Sequence, residues 1–314
     1  MKRQIKKLID DSNSIILFTH IRPDGDAVGS VFAFYHYLKS LNKKVDMIIE
    51  DAPEIFNFLP NFNKVNNLTS DTYDLGIVLD CATLDRVGQL DGKLSNCKTT
   101  LNIDHHVSNS NYCDTNYVQG DVSSCCQVVY YLFKDIDVIL DNNICMALAT
   151  GMITDTNGFR NNNVDGDTFL MASDLVKYDI NFHKIYEYVL FNKSFAKHNL
   201  MKIALERLEF LCDGKIAFTY ILKDDFDKVG AKAGDHEGIV DIGRSIEGVE
   251  VSVFIRENDG FTISLRSTGK YDVNEIASSF GGGGHKMAAG GQIDNNFEET
   301  KEIIINAVKK VLFK

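Results

Sequence analysis

The chain has 314 residues, 44% of them hydrophobic and 25% charged, with a formal charge of −11. That length suits two self-supporting cores, and no apolar run approaches the roughly 20 residues that span a bilayer. The acidic balance argues against gripping long nucleic acid, which calls for a basic face, and seven cysteines without CxxC spacing argue against a disulfide framework or structural zinc.

The N-terminus is basic over residues 1–8 but runs into Asp10, Asp11 and Ser12 instead of an apolar signal core, so the expected location is the cytoplasm, with no membrane partner. From residue 1 to about 190, short apolar runs alternate with amphipathic stretches. This is the pattern of an α/β domain with a largely parallel, doubly wound sheet. Strands are expected over 14–19, 45–49, 75–79 and 99–103, and helices over 26–41, 124–133 and 142–154. Residues 182–211 are charged and helical in pattern, without Gly or Pro; the second half, from 194 to 211, reads as the link between domains. Beyond Asp213-Gly214, strands are expected over 215–221, 249–256 and 261–266, and helices over 273–280 and 298–312. The expected organisation is a first domain over 1–190, a helical connector over 191–212, and a smaller α+β domain with a mixed sheet over 213–314.

Acids and histidines end these apolar runs. His20, Asp24 and Asp26 follow the first strand, and the Asp-Gly-Asp spacing lets two carboxylates enter one cavity from a tight bend. Taken alone, Asp26 would be a helix cap and Asp24 a solvated turn residue. Asp80 ends a strand too apolar for the surface, where an unpaired carboxylate is costly and a metal or a partner such as Arg86 would compensate it. Asp104-His105-His106 puts three metal-capable side chains directly after a strand, and Asp155 ends a helical run. In open α/β sheets ligands bind outside the carboxyl ends of strands, so these positions point to one site.

These residues, in the order H-x-x-x-D-x-D, D, D-H-H and D, resemble the motifs of the DHH family of phosphoesterases, and Gly281–Gly284 followed by H-K-M-A-A-G-G resembles the glycine-rich element of the DHH-associated domain. The similarity covers nearly the whole chain and is closest in form to bacterial nano-RNases that also dephosphorylate 3'-phosphoadenosine 5'-phosphate (pAp). It implies two divalent ions, best matched to Mn2+ by the mixed imidazole and carboxylate set, on His20, Asp24, Asp26, Asp80, His105 and Asp155, with Asp80 bridging. Two ions roughly 3.5–4 Å apart would activate a bridging water for in-line attack. Of the remaining catalytic candidates, His106 would stabilise the oxyanion or protonate the leaving group, and Asp104 would orient a histidine. In the second domain Arg244, Arg266, Gly282, Gly283, Gly284 and His285, together with Arg160 of the first, would hold the substrate's non-reacting phosphate.

The implied substrates are short RNA oligonucleotides and pAp, acted on by a monomer or homodimer. Cleavage of pApA or cyclic di-AMP is the alternative within the enzyme class. A nucleotide sensor without turnover is the alternative outside it, and such a protein would lack ligands that are all present here. Processive RecJ-type exonucleases add a domain and a basic groove for which this chain has no room, and manganese pyrophosphatases carry a basic element where this chain has glycines.

Overall fold

The computed structural model describes residues 1–87 and 92–313, which divide into two compact units, Met1–Asn192 and Lys193–Lys314. In the first unit β1 (Ser14–Phe18), β2 (Lys44–Ile48), β3 (Tyr73–Leu79), β4 (Cys97–Asp104) and β5 (Thr115–Val118) form one sheet in the order β2-β1-β3-β4-β5. Every pairing in it is parallel. The chain leaves β1 in one direction to reach β2 and crosses back to β3, so the order reverses between β1 and β3, where a crevice opens at the carboxyl ends.

Alternate residues of the buried strands serve opposite faces. Ile15, Leu17, Ile77 and Leu101 pack into the large core with α1 (Lys2–Asp11), α2 (Gly25–Ser40), α3 (Cys125–Asp135), α4 (Asn142–Asp155), α5 (Gly166–Leu175) and α6 (Phe182–Tyr186). Ile16, Phe18 and Val78 face a smaller cluster closed by Val87, Leu94 and Tyr112. The strands and helices expected from the pattern are present; α1, β5 and α5 were not anticipated. Helix α1 hides behind its basic residues, yet Ile5 and Ile9, one turn apart, are fully buried while Lys6 and Lys7 pair with Asp10 and Asp11.

The second unit holds a six-stranded mixed sheet, β10-β11-β9-β8-β7-β6, made of β6 (Glu209–Leu211), β7 (Ile216–Ile221), β8 (Val251–Asn258), β9 (Gly260–Ser267), β10 (Gly283–His285) and β11 (Ala288–Ile293). Only β7 and β8 run parallel. One face packs on α10 (Val273–Ser278) and α11 (Phe297–Leu312), the other on α7 (Phe195–Glu206), α8 (Lys223–Val229) and α9 (Ile239–Arg244). The helix expected to reach residue 211 stops at Glu206, because Glu209–Leu211 pairs antiparallel with Phe218–Ile216 as an edge strand. The glycine-rich segment is not an open loop: Gly283, Gly284 and His285 pair with Gly290, Ala289 and Ala288.

Helices α2 and α4 approach each other through glycines. A Cβ on Gly29 would stand 2.5 Å from the Ala147 carbonyl oxygen and 2.9 Å from the Gly151 nitrogen, both fixed backbone atoms. Gly29→Ala is therefore expected to destabilise the protein by about 1–3 kcal/mol, the usual cost of overpacking, despite alanine's better helix propensity. Chemical denaturation measures it; an unchanged midpoint would show that α2 and α4 separate freely.

Candidate metal centre

The turn after β1 is built by its own acids. Asp24 caps α2, its Oδ1 accepting the Asp26 and Ala27 amides at 3.0 Å each. Asp26 is not the cap: it sits in the first turn of α2, almost fully buried, and points to the start of α3. There its two oxygens accept the backbone N–H groups of Cys125 at 2.5 Å and Cys126 at 2.9 Å. A helix N-terminus is a natural seat for an anion, because its first amides lack partners within the helix. Room for this contact comes from Gly151, where a Cβ would lie 2.6 Å from Asp26 Oδ1 and 2.2 Å from the Cys126 sulfur.

Asp80, directly after β3, adopts φ +55°, a left-handed conformation uncommon for a residue with a Cβ. Its carboxylate is buried, and Oδ1 has no hydrogen-bond partner among the described residues. Around it stand imidazole nitrogens: His20 Nε2 lies 3.7 Å from Oδ2, and His105 Nε2 and His106 Nδ1 lie 3.5 Å and 3.6 Å from Oδ1. In the metal-free chain burial pushes the Asp80 carboxyl well above the usual range, and Asp26, Asp24, Asp104 and Asp155 push it further. Asp155, the last residue of α4, is pushed up to about 9 by burial and then by Asp26 and Asp24.

The histidines are oriented for ligation. His20 Nδ1 faces the Ile21 carbonyl at 2.9 Å and His105 Nδ1 faces the Val122 carbonyl at 3.3 Å, which turns each Nε2 toward the acids. His105 Nε2 also lies 3.9 Å from both Asp26 Oδ2 and Asp155 Oδ2. Donor atoms of His20, Asp24 and Asp80 fall within 4.8 Å of one another, as do those of Asp26, His105 and Asp155. A third such group, Asp80, His105 and His106, overlaps both; these groups could hold divalent cations, and the orphaned Asp80 Oδ1 is the atom such a cation would satisfy.

His106, although part of the third group, is engaged by a further acid. Its Nδ1 lies 2.7 Å from Asp104 Oδ1. Although burial favours the neutral acid, bonds from His106, Asn109 and the His105 amide hold the Asp104 carboxyl below the usual range, so it accepts and His106 Nδ1 donates. Bonding to Asp104 raises the His106 imidazole above its usual value. Nε2 is left available for substrate. Asn102 and Asn109, which tie Asp104 to the Asp80 turn, have no signature in apolar periodicity and were missed in the sequence.

In the second unit Arg244 and Arg266 converge on one acid, with Nε atoms 3.3 Å and 3.9 Å from Asp241 Oδ1. Arg266, Ala288 and His285 lie opposite one another across β9, β11 and β10, so their side chains share one face. Gly282 and Gly284 are glycine for the hairpin's sake: a Cβ would stand 2.3 Å from the Gly290 carbonyl oxygen and 2.6 Å from that of Ala288. Gly283 is more open. Arg160 lies in the first unit, exposed, with its backbone bonded to Thr156.

The sequence over 14–152 matches the model of the DHH family, N-terminal domain, and residues 213–313 match the DHHA1 domain. The chain belongs to the DHH family. It is 28% identical over 95% of its length to the bifunctional oligoribonuclease and PAP phosphatase NrnA of Thermus thermophilus, covering 90% of that protein. Against the protein of the same name from Bacillus subtilis the figures are 27%, 93% and 93%. Among solved structures, an exopolyphosphatase-related protein from Bacteroides fragilis superposes with a TM-score of 0.90 at 28% identity, over 98% of this chain and 95% of that one.

Asp80→Asn keeps the shape, replaces a buried carboxyl among four other acids by a neutral amide and tolerates the left-handed backbone. In EDTA it is expected to melt at or above the wild-type temperature. Excess Mn2+ should raise the wild-type transition, by about 2.7 kcal/mol at a hundredfold over Kd, and leave the variant unmoved. Thermal unfolding with and without Mn2+ decides; a variant weaker in EDTA yet still stabilised by Mn2+ would remove Asp80 from the ligand set.

Proposed function

We propose that the protein is a divalent-metal phosphoesterase, with Mn2+ the best-suited ion, that releases mononucleotides from short oligoribonucleotides and removes phosphate from pAp. Hydrolysis of phosphate esters is the chemistry of its DHH-family relatives, and two of these are named for both activities. Asp80 carries the reading: a buried carboxylate with an orphaned oxygen, at the strand-order reversal, ringed by three histidines. Every expected ligand position is filled, which a sensor without turnover would not require.

Divalent ions held by His20, Asp24, Asp26, Asp80, His105 and Asp155 would supply charge neutralisation and nucleophile activation. The chain's own contribution to turnover falls to His106. With Nδ1 committed to Asp104, its Nε2 would bond a phosphoryl oxygen or give a proton to the departing hydroxyl. The shared face of Arg266 and His285, roughly two strand spacings or 10 Å apart with only Ala288 between them, would hold the non-reacting phosphate beside Arg244.

The test is product release from a 5-mer RNA, pAp and cyclic di-AMP, with Mn2+, with EDTA, and with Asp80→Ala. Mn2+-dependent cleavage of the RNA and pAp, lost in the other two conditions, is expected. Preference for cyclic di-AMP would replace the substrate assignment, and inactivity on all three would return the protein to a binding role. His106→Ala should lower kcat about 10²–10⁴-fold while keeping the Mn2+-induced rise in melting temperature; a lost rise would make His106 a ligand instead.

A further inference from the structure

Asn109 follows the Asp-His-His triplet by three residues, and each polar atom of its side chain is committed. Oδ1 accepts the Asn111 backbone N–H at 2.7 Å, a donor that fixes which end of the amide is oxygen. Nδ2 therefore faces Asp104 Oδ2 at 2.6 Å, Asn102 Oδ1 at 2.7 Å and the Cys81 carbonyl at 3.3 Å. An amide nitrogen has two protons, and the two shorter contacts take them.

Asp104 is fully buried, and its oxygens are divided. Oδ1 takes the His105 amide at 2.8 Å and His106 Nδ1 at 2.7 Å; Oδ2 has Asn109 as its one partner among the described residues. Without Asn109 the carboxylate is held at Oδ1 alone and its plane is less constrained, and Oδ1 is the oxygen that aims His106. Asn102, also fully buried, anchors the other side. Its Nδ2 donates to the Val78 and Cys81 carbonyls at 3.2 Å and 3.3 Å, and the Tyr112 hydroxyl reaches the same Cys81 carbonyl at 3.0 Å. The strained Asp80 turn and the carboxylate behind His106 thus hang from one frame of amides.

We propose that Asn109 is a positioning residue that locks Asp104 and, through it, sets the direction of the His106 imidazole. This rests on the phosphoesterase reading where turnover is the readout, and is independent of it where the histidine proton is observed. A His106 Nδ1 proton held against Asp104 gives a downfield imidazole resonance in the metal-free protein, identified by its loss in His106→Asn. In Asn109→Asp, which keeps shape and acceptor but removes the donor, and in Asn109→Ala, that resonance should move upfield or broaden while cooperative unfolding persists. With Mn2+, kcat should fall about 10- to 100-fold, the usual cost of removing an outer hydrogen-bond partner, with KM and the Mn2+ midpoint within about twofold of wild type. A residue that only supports the fold would lower the melting temperature and leave the proton in place. A resonance unmoved in both variants overturns the proposal whatever turnover does, and a wild type inert toward every ester defeats the phosphoesterase reading while the resonance still decides Asn109.

Discussion

Mutual repulsion among acids gathered at one end of the first sheet is the constraint around which the rest is arranged. Asp24 and Asp80 bring oxygens within 4.8 Å, as do Asp26 and Asp155. At an effective dielectric near 20, each such pair of full charges costs about 3.5 kcal/mol. The N-terminus of α3, which receives Asp26, contributes about 2 kcal/mol at most. The backbone alone therefore cannot hold the cluster ionised, and the raised carboxyls of Asp80 and Asp155 express that shortfall in the metal-free chain. Bound cations would close the gap, and the stability of such a fold would then depend on occupancy of the site.

Within the cluster the scaffold treats each acid differently. Asp24 spends one oxygen on the cap of α2, Asp26 is gripped by two amides, and Asp104 is saturated by donors. Only Asp80 is left with a buried oxygen that nothing in the described protein satisfies. This inequality separates roles that residue type alone does not. Without a metal, the donors around Asp104 hold its carboxyl below the usual range beside His106, whereas burial and the neighbouring acids push that of Asp80 well above it. Adjacent acids and histidines in the same triplet therefore meet different sets of donors, which is the basis on which ligation and positioning are proposed for them.

The strand ends were legible because burial makes them so: an apolar run too hydrophobic for the surface, stopped by an acid or a histidine, has few explanations, and His20, Asp80 and Asp104 all obey it. The register of the sheets then gathered those ends into one place, as the βα alternation implied. What escaped was whatever depends on contacts distant in sequence. The motif marks Asp26 as a ligand and its position, taken alone, as a cap; nothing local reveals that Cys125 and Cys126 offer it their amides. The four glycines suggest backbone amides close to an anion, and nothing local reveals that Gly282 and Gly284 also pass close against the carbonyls of β11 in a paired hairpin. Strand β5 is four residues long and α5 is interrupted by polar side chains, so neither carries enough period to announce itself.

The second unit addresses charge from the other direction. Asp241 is shared by Arg244 and Arg266, so the trio keeps one net positive charge on the surface of a chain whose formal charge is −11. Affinity for a polyanion grows with the number of phosphates neutralised, each contributing to the salt-dependent release of counterions. A face with one uncompensated arginine and a neighbouring histidine engages few phosphates at once. Such a surface gains little from a longer strand, because each additional phosphate meets the acidic exterior and is repelled. A terminal phosphate, carrying more charge than an internal one and reachable by a forked guanidinium, gains most. On this electrostatic ground the proposed substrates are short: the arginine pair would clamp one phosphate, and cations at the acidic site would attract the reacting one, while the formal charge of −11 disfavours a longer polyanion.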